Sequence, residues 1–376
     1  MFDKLVMSPG PTEMSSEVRN AMAVSLTNPG LDEDYFNFHE ALMGKFQKLL
    51  NTKNDIVIMC GEAILGLEAA CATLTETDDR VLVLHNGHFG LGFGAFPEIY
   101  GGHSVYLGFD HEKGIEIKKL EDFLQKDSNF KYATMVHCET PSGITNNVKE
   151  MSKLLKKYGI MTVVDAVSSI GGEEIEVDEW DIDILITGSQ KCLSAIPGLT
   201  VVSVSKTVYD IIDNRKERIK SNYANLNVYR EYRKIGKFPY TMPANNIYSL
   251  DVAIDQLFVR DYLKEHERIA TAFRKTISEG GLELYAKDSF SNTVTAIKVP
   301  SGVEYKDLFN TMKDKYKIII AGSFGNLYGK VFRIGHMGFI CNEELLAITL
   351  EALQKCLKDL GFRTKCNLKE KFLGLL

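Results

Sequence analysis

Short, uninterrupted apolar runs recur through the first two hundred residues, and several are followed by a stretch in which apolar positions return every three or four residues. The runs are Asp55–Cys60, Arg80–Leu84, His103–Leu107, Tyr132–Val136, Met161–Val164, Asp183–Ile186 and Leu199–Val204. Runs of this length without polar alternation suit strands covered on both faces. Between them, Ile64–Leu74, Ile117–Gln125 and Val148–Tyr158 carry helical spacing and good helix formers. The alternation predicts an α/β fold built on a large, doubly wound, mostly parallel seven-stranded sheet.

Around residue 250 the pattern changes. One long helix is predicted from Ile247 to about Ser278, then a strand at Asn292–Val299, a helix near Tyr305–Tyr316, a strand at Lys330–Ile334 and a closing helix at Asn342–Leu360. Residues 1–250 are read as the large domain, with 1–15 packing near its site, and 251–376 as a smaller α+β domain. The chain shows neither an internal repeat nor a low-complexity segment.

Composition narrows the class. A chain of 376 residues with 45% hydrophobic content can bury one large core and a smaller one. Thirty glycines against nine prolines argue against a linker-rich or disordered chain. The net charge of -6 leaves no broad cationic surface, and basic residues do not interleave with aromatics, so nucleic acid is not an expected partner. The opening Met1–Thr12 lacks the apolar core of a signal peptide, and no uncharged run approaches membrane-spanning length. The seven cysteines (Cys60, Cys71, Cys138, Cys192, Cys341, Cys356 and Cys366) show no paired short spacing. That suits a reducing, cytoplasmic setting and offers neither a metal site nor a disulfide framework.

Two strand ends carry candidate chemistry. Lys191 lies among small residues just past the run that starts at Ile184, and the nearest formal charges along the chain are Asp183 and Lys206. A partly desolvated ammonium has a depressed pKa and is a nucleophile near neutral pH. A lysine snorkelling from a buried strand end is the competing account. Asp165 follows Met161–Val164, 26 positions earlier, and also precedes small residues. In an open parallel sheet, ligands bind outside the carboxyl ends of the strands, so both residues can face one site. Pyridoxal chemistry needs such a pair: an amine to form the imine and a carboxylate to keep the pyridine nitrogen protonated. An aspartate that merely caps the next turn is the plainer account of Asp165, but it leaves Lys191 unexplained.

Asp165, the segment Thr187-Gly-Ser-Gln-Lys191, the opening Ser8-Pro-Gly-Pro-Thr12 and Arg333 of Arg333-Ile-Gly-His-Met-Gly338 occur in an order that resembles the class V aminotransferases of fold type I. This group holds the alanine–glyoxylate and serine–pyruvate transaminases, and the resemblance covers nearly the whole chain. It implies transfer of an amino group from a small amino acid to a small 2-oxo acid such as glyoxylate or pyruvate, with pyridoxal 5'-phosphate as cofactor and ping-pong kinetics. It further implies a homodimer with shared active sites. Residue by residue, it makes Lys191 the Schiff-base lysine and proton shuttle, Asp165 the partner of the pyridine nitrogen and Phe89 the aromatic that stacks on the ring. Thr140, Ser142 and Gln190 are implied to contact the cofactor, while Tyr240 and Thr241, near Asn245, would cross to the partner subunit. Arg333 would grip the substrate carboxylate through two parallel hydrogen bonds, with Gly10 also on the substrate side. His137 and His336 are read as structural.

The phosphate end departs from this pattern. Such enzymes hold the cofactor phosphate on backbone N–H groups at a helix amino terminus. The corresponding turn here contains Gly61, Glu62 and Ala63, and the Glu62 carboxylate would repel a dianion unless it points away from the cup. Gly61–Ala70, Thr140–Gly143 and Gly329–Gly338 are moreover similar to pyridoxamine–pyruvate aminotransferases, which take unphosphorylated pyridoxamine or pyridoxal as substrate. Phe238 stands where phosphate-using relatives offer a tyrosine and favours that alternative; Phe324, in place of a second arginine, and Phe89, in place of a tyrosine, count against it. A carbon–sulfur lyase of the same fold would need a reactive thiol, but neither Cys341 nor Cys366 has a cationic setting that would activate it. A non-catalytic, cofactor-binding regulator would be expected to have lost Lys191, Asp165 or Arg333, and all three are present.

Overall fold

Val and Ile dominate the central strands, and the computed structural model, which describes residues 3–25 and 27–376, joins them into one seven-stranded sheet. In chain order these are β1 (Asp55–Cys60), β2 (Arg80–His85), β3 (His103–Gly108), β4 (Tyr132–Val136), β5 (Met161–Asp165), β6 (Ile184–Gly188) and β7 (Leu199–Val204). Their spatial order is β1-β7-β6-β5-β4-β2-β3. Strand β7 runs antiparallel to both of its neighbours, and every other pairing is parallel. Strands β4 to β7 are buried along their whole length, as their apolar sequences require. Strand β3 differs: it lies at the sheet edge, and none of its residues is fully buried.

Successive residues of a strand feed opposite layers. Ile56 and Ile58 join a cluster with Leu82, Met135 and Val164 on one face, while Val57 and Met59 join Val81, Val163 and Ile186 on the other. Strands β5 and β6 are parallel neighbours joined by turns without an α-helix, so Asp165 and the turn carrying Lys191 emerge at the same edge of the sheet.

The carboxyl-terminal part has its own apolar cluster, drawn mainly from residues between Ile269 and Phe372. Its antiparallel sheet contains β8 (Val294–Lys298), β9 (Ala321–Gly322) and β10 (Val331–Gly335), with β10 in the middle. The single long helix expected from Ile247 is instead two, Ala244–Phe258 and Tyr262–Glu279. The break has a local cause: the Asp261 carboxylate accepts the Lys264 N–H and so starts a new helix, a capping signal that outweighed the continuing apolar period. The helix expected to reach Tyr316 is α-helical only over Tyr305–Asn310 and continues as a π-turn over Thr311–Lys315. Among the described residues, no helix is long and apolar enough to cross a membrane.

Leu5–Val6 pairs in parallel with Ile318–Ile319, and the Gly335 N–H donates to the Met7 carbonyl at 2.8 Å. These bonds tie the start of the chain to the carboxyl-terminal sheet and deliver Pro9 and Gly10 to the ends of β5 and β6.

Candidate active site

Asp165 is the last residue of β5, and Lys191 lies three positions beyond β6, in a turn closed by the Ala195 N–H on the Ser189 carbonyl. The two side chains line one cavity with Glu62, Phe89, Thr140 and Val167. One Asp165 oxygen accepts the Val167 N–H at 2.9 Å, and the other makes no hydrogen bond among the described residues. Burial pushes the Asp165 carboxyl up to about 6, against the Val167 N–H and the Lys191 charge, which pull it down. Burial and then the Arg333 charge push the Lys191 ammonium below its ordinary range.

Lys191 donates its Nζ to the Pro9 carbonyl at 2.9 Å. The neighbouring Gly10 has φ +107°, and a Cβ there would stand 2.4 Å from Lys191 Cδ, so the lysine stem occupies the space that any other residue would need.

Phe89 is the second residue of the short helix His88–Phe93. Its position is set by Glu139, a residue that sequence reasoning did not single out. The fully buried Glu139 carboxylate accepts the N–H groups of Phe89 at 3.1 Å and Gly90 at 2.6 Å. Gly87 permits this approach, because a Cβ on it would lie 2.5 Å from the carboxyl carbon. Burial raises Glu139 to about 7. The available signal was a charged residue inside an otherwise uncharged run, from Val136 to Asn147, directly before Thr140.

Arg333, in the middle of β10, is 5% exposed. Its Nε donates to the Gly322 carbonyl at 2.6 Å, and its two terminal nitrogens make no hydrogen bond among the described residues. Burial lowers the guanidinium to about 10.

The helix Ile64–Leu74 begins beside the cavity. The Gly61 N–H is committed to the Gly198 carbonyl at 2.9 Å, whereas those of Glu62 and Ala63 have no acceptor among the described residues. The Glu62 carboxylate does not point away from this cup. It turns back to accept the Ile64 N–H at 3.0 Å and the Gln190 side-chain amide at 2.5 Å.

Other candidates lie apart. Thr140 lines the cavity and is hydrogen-bonded to Ser168, but Ser142 lines a neighbouring cavity and directs its hydroxyl to the Glu139 carbonyl at 3.3 Å. Two positions along a tight turn suffice to send the two hydroxyls to different places. Tyr240 stacks on Tyr223 with ring centroids 4.2 Å apart, and the Thr241 carbonyl faces Cys60 Sγ at 3.9 Å; neither residue lines the cavity of its own chain. Asn245 bonds the Met22 carbonyl at 2.5 Å, and Phe238 stacks on Tyr232. His137 bonds Ser169 at 2.9 Å, His336 bonds Thr295 at 2.8 Å, and both rings are buried away from the cavity. Cys341 is 1% exposed, and burial raises its thiol to about 12, the opposite of what a lyase nucleophile needs. Among the described residues, no group of His, Cys, Asp and Glu could hold a metal ion.

Comparison with known proteins identifies the family. An uncharacterized aminotransferase of Methanocaldococcus jannaschii is 37% identical over 96% of this chain and 94% of its own. The pyridoxamine–pyruvate transaminase of Mesorhizobium japonicum is 31% identical over 89% of this chain and 86% of its own. The crystal structure of ureidoglycine–glyoxylate aminotransferase from Bacillus subtilis superposes with a TM-score of 0.94 at 27% identity, covering 99% of this chain and 97% of that one. The family model for aminotransferase class-V matches residues 20–326, and the chain therefore belongs to the class V aminotransferases of fold type I.

Proposed function

We propose that this aminotransferase moves an amino group from a small amino acid to a small 2-oxo acid, glyoxylate or pyruvate, with the pyridoxal 5'-phosphate that its family implies. The observation that carries the reading is the shared cavity: an amine with a lowered pKa and a carboxylate with one free oxygen beside an aromatic ring. The donor set fits the cofactor's ring end, with Asp165 for the pyridine nitrogen, Phe89 and Val167 for the ring and Lys191 for the aldehyde. The bound cofactor supplies an electron-withdrawing ring conjugated to the substrate Cα. The residues do the rest. Asp165 keeps a proton on the ring nitrogen. Lys191, whose buried ammonium gives up its proton readily, would take the proton from the substrate Cα and deliver it to the cofactor carbon on the other side of the transferred nitrogen. Arg333, whose charge reaches Lys191, meets the substrate carboxylate with its two uncommitted nitrogens, and Gly10 is assigned to the substrate side with it. Relatives named for pyruvate and glyoxylate support the acceptor class.

Two further parts belong to this reading. The division into 1–250 and 251–376 is supported in outline by the separate carboxyl-terminal apolar cluster, although Ala253, Ile254 and Leu257 still pack with the large domain. Assembly as a homodimer belongs to the same reading, and would let Tyr240 and Thr241, which do not line their own chain's cavity, serve a partner's.

Glu62 favours a second reading, in which unphosphorylated pyridoxamine or pyridoxal is itself a substrate. The cup keeps two free N–H groups, yet it already holds one carboxylate, and Gln190 Oε1 beside it is buried without a donor. A hydroxymethyl group in place of a phosphate would bring a donor and no charge. Mass spectrometry of the purified protein decides between the vitamers. Lys191→Ala tests the common core: the visible absorbance of the loaded enzyme should vanish and kcat should fall by about a thousandfold or more. Retained absorbance would overturn the assignment.

A further inference from the structure

Phe324 joins the two sides of the cleft. Its ring stacks on the His88 imidazole, with centroids 5.3 Å apart and planes 21° apart, and meets Phe89 edge-on at 6.1 Å. The Arg333 guanidinium carbon stands 5.0 Å from the Phe324 ring centroid. Although Phe324 is 46% exposed, it is held in place from both sides. The preceding Gly322 carbonyl takes the Arg333 Nε, and the Ser323 hydroxyl donates to the Pro141 carbonyl at 2.9 Å. A ring over the face of a guanidinium leaves its edge, where the N–H fork lies, available to a coplanar carboxylate.

Beyond Phe324 lies the second cavity, of about 270 Å³, whose wall includes Phe324, His88, His111, Asn86 and Asn326 and, among the described residues, contains no Lys, Arg, Asp or Glu. A second carboxylate that reached it would lose water without gaining a permanent cationic partner.

We propose that Phe324 sets the substrate class, covering Arg333 and closing the side-chain end of the site to all but short 2-oxo acids and amino acids that carry no second charge. The proposal builds on the reading of Arg333 as the carboxylate clamp, and the test separates the two. Protein free of cofactor is treated with phenylglyoxal, and modification of Arg333 is followed by peptide mass mapping. In Phe324→Ala, Arg333 should react several times faster than in the wild type; an unchanged rate overturns the covering role.

The second readout is kcat/KM for pyruvate, 2-oxohexanoate and 2-oxoglutarate. Relative to pyruvate, Phe324→Ala should gain about tenfold on 2-oxohexanoate, and Phe324→Arg about tenfold on 2-oxoglutarate. Phe324→Leu, which keeps an apolar cover, should hold the wild-type ratios. Ratios that are the same in all four proteins, or a wild type that uses 2-oxoglutarate as well as pyruvate, overturn the proposal. A wild type inactive with every 2-oxo acid overturns the underlying reading instead.

Discussion

Gln190 donates its side-chain amide to the Glu62 carboxylate across 2.5 Å and so ties the turn that carries Lys191 to the start of helix Ile64–Leu74. The bond places a negative charge in a cup whose free N–H groups would otherwise serve a phosphate. On the proposed reading, competition between Glu62 and a phosphate for those groups would set the choice of vitamer.

Replacing Glu62 with Gln removes the charge and keeps the shape. Affinity for pyridoxal phosphate should rise about tenfold relative to pyridoxal, equivalent to about 1.4 kcal/mol, in absorbance titrations of cofactor-free protein. An unchanged ratio would remove Glu62 from vitamer choice.

Gly10→Ala sets a methyl against the Lys191 stem at a backbone angle that favours glycine. The lysine must move or the amino-terminal segment must lift, so the rate of cofactor attachment should drop by roughly tenfold or more while the circular dichroism of the sheet is kept. Attachment at the wild-type rate would show that the segment yields freely.

Arg333→Lys keeps a positive charge but loses the planar fork. KM for the 2-oxo acid should rise about a hundredfold, close to 2.7 kcal/mol, with kcat affected much less, as steady-state kinetics would show. A fall confined to kcat would mean that Arg333 does not hold the substrate carboxylate.

Burial pushes the imidazoles of His137 and His266 down to about 4 and that of His336 down to about 3. Unfolded histidines titrate near 6.5, so between about pH 4 and 6.5 the unfolded chain binds more protons, and stability is lost as the pH falls. Asp165 and Glu139, raised to about 6 and 7, act in the opposite direction, because their folded forms keep protons that the unfolded chain releases. Burial also lowers His85 and raises Glu173, so four imidazoles oppose three carboxyls. The urea midpoint of cofactor-free protein should therefore be lower at pH 5 than at pH 7, and His336→Gln should shrink the difference. A midpoint that rises on acidification would contradict this account.

The sequence by itself determined the strands and the residues that end them. Asp165 and Lys191 stood out because each follows a run whose apolar character already shows it to be buried, and strand periodicity depends only on near neighbours along the chain. The same local character made the helix from Ile247 look continuous, since the apolar period runs on across Asp261.

Only the tertiary structure decided how the site is held. Glu139 reaches Phe89 across 50 positions, Gln190 reaches Glu62 across 128 and Lys191 reaches Pro9 across 182. Such bonds depend on which backbone groups packing brings together and which of them are left without a partner. No local pattern records that, which is why Ser142 shared the motif of Thr140 but not its cavity, and why the direction of the Glu62 carboxylate could not be read from its position in the turn.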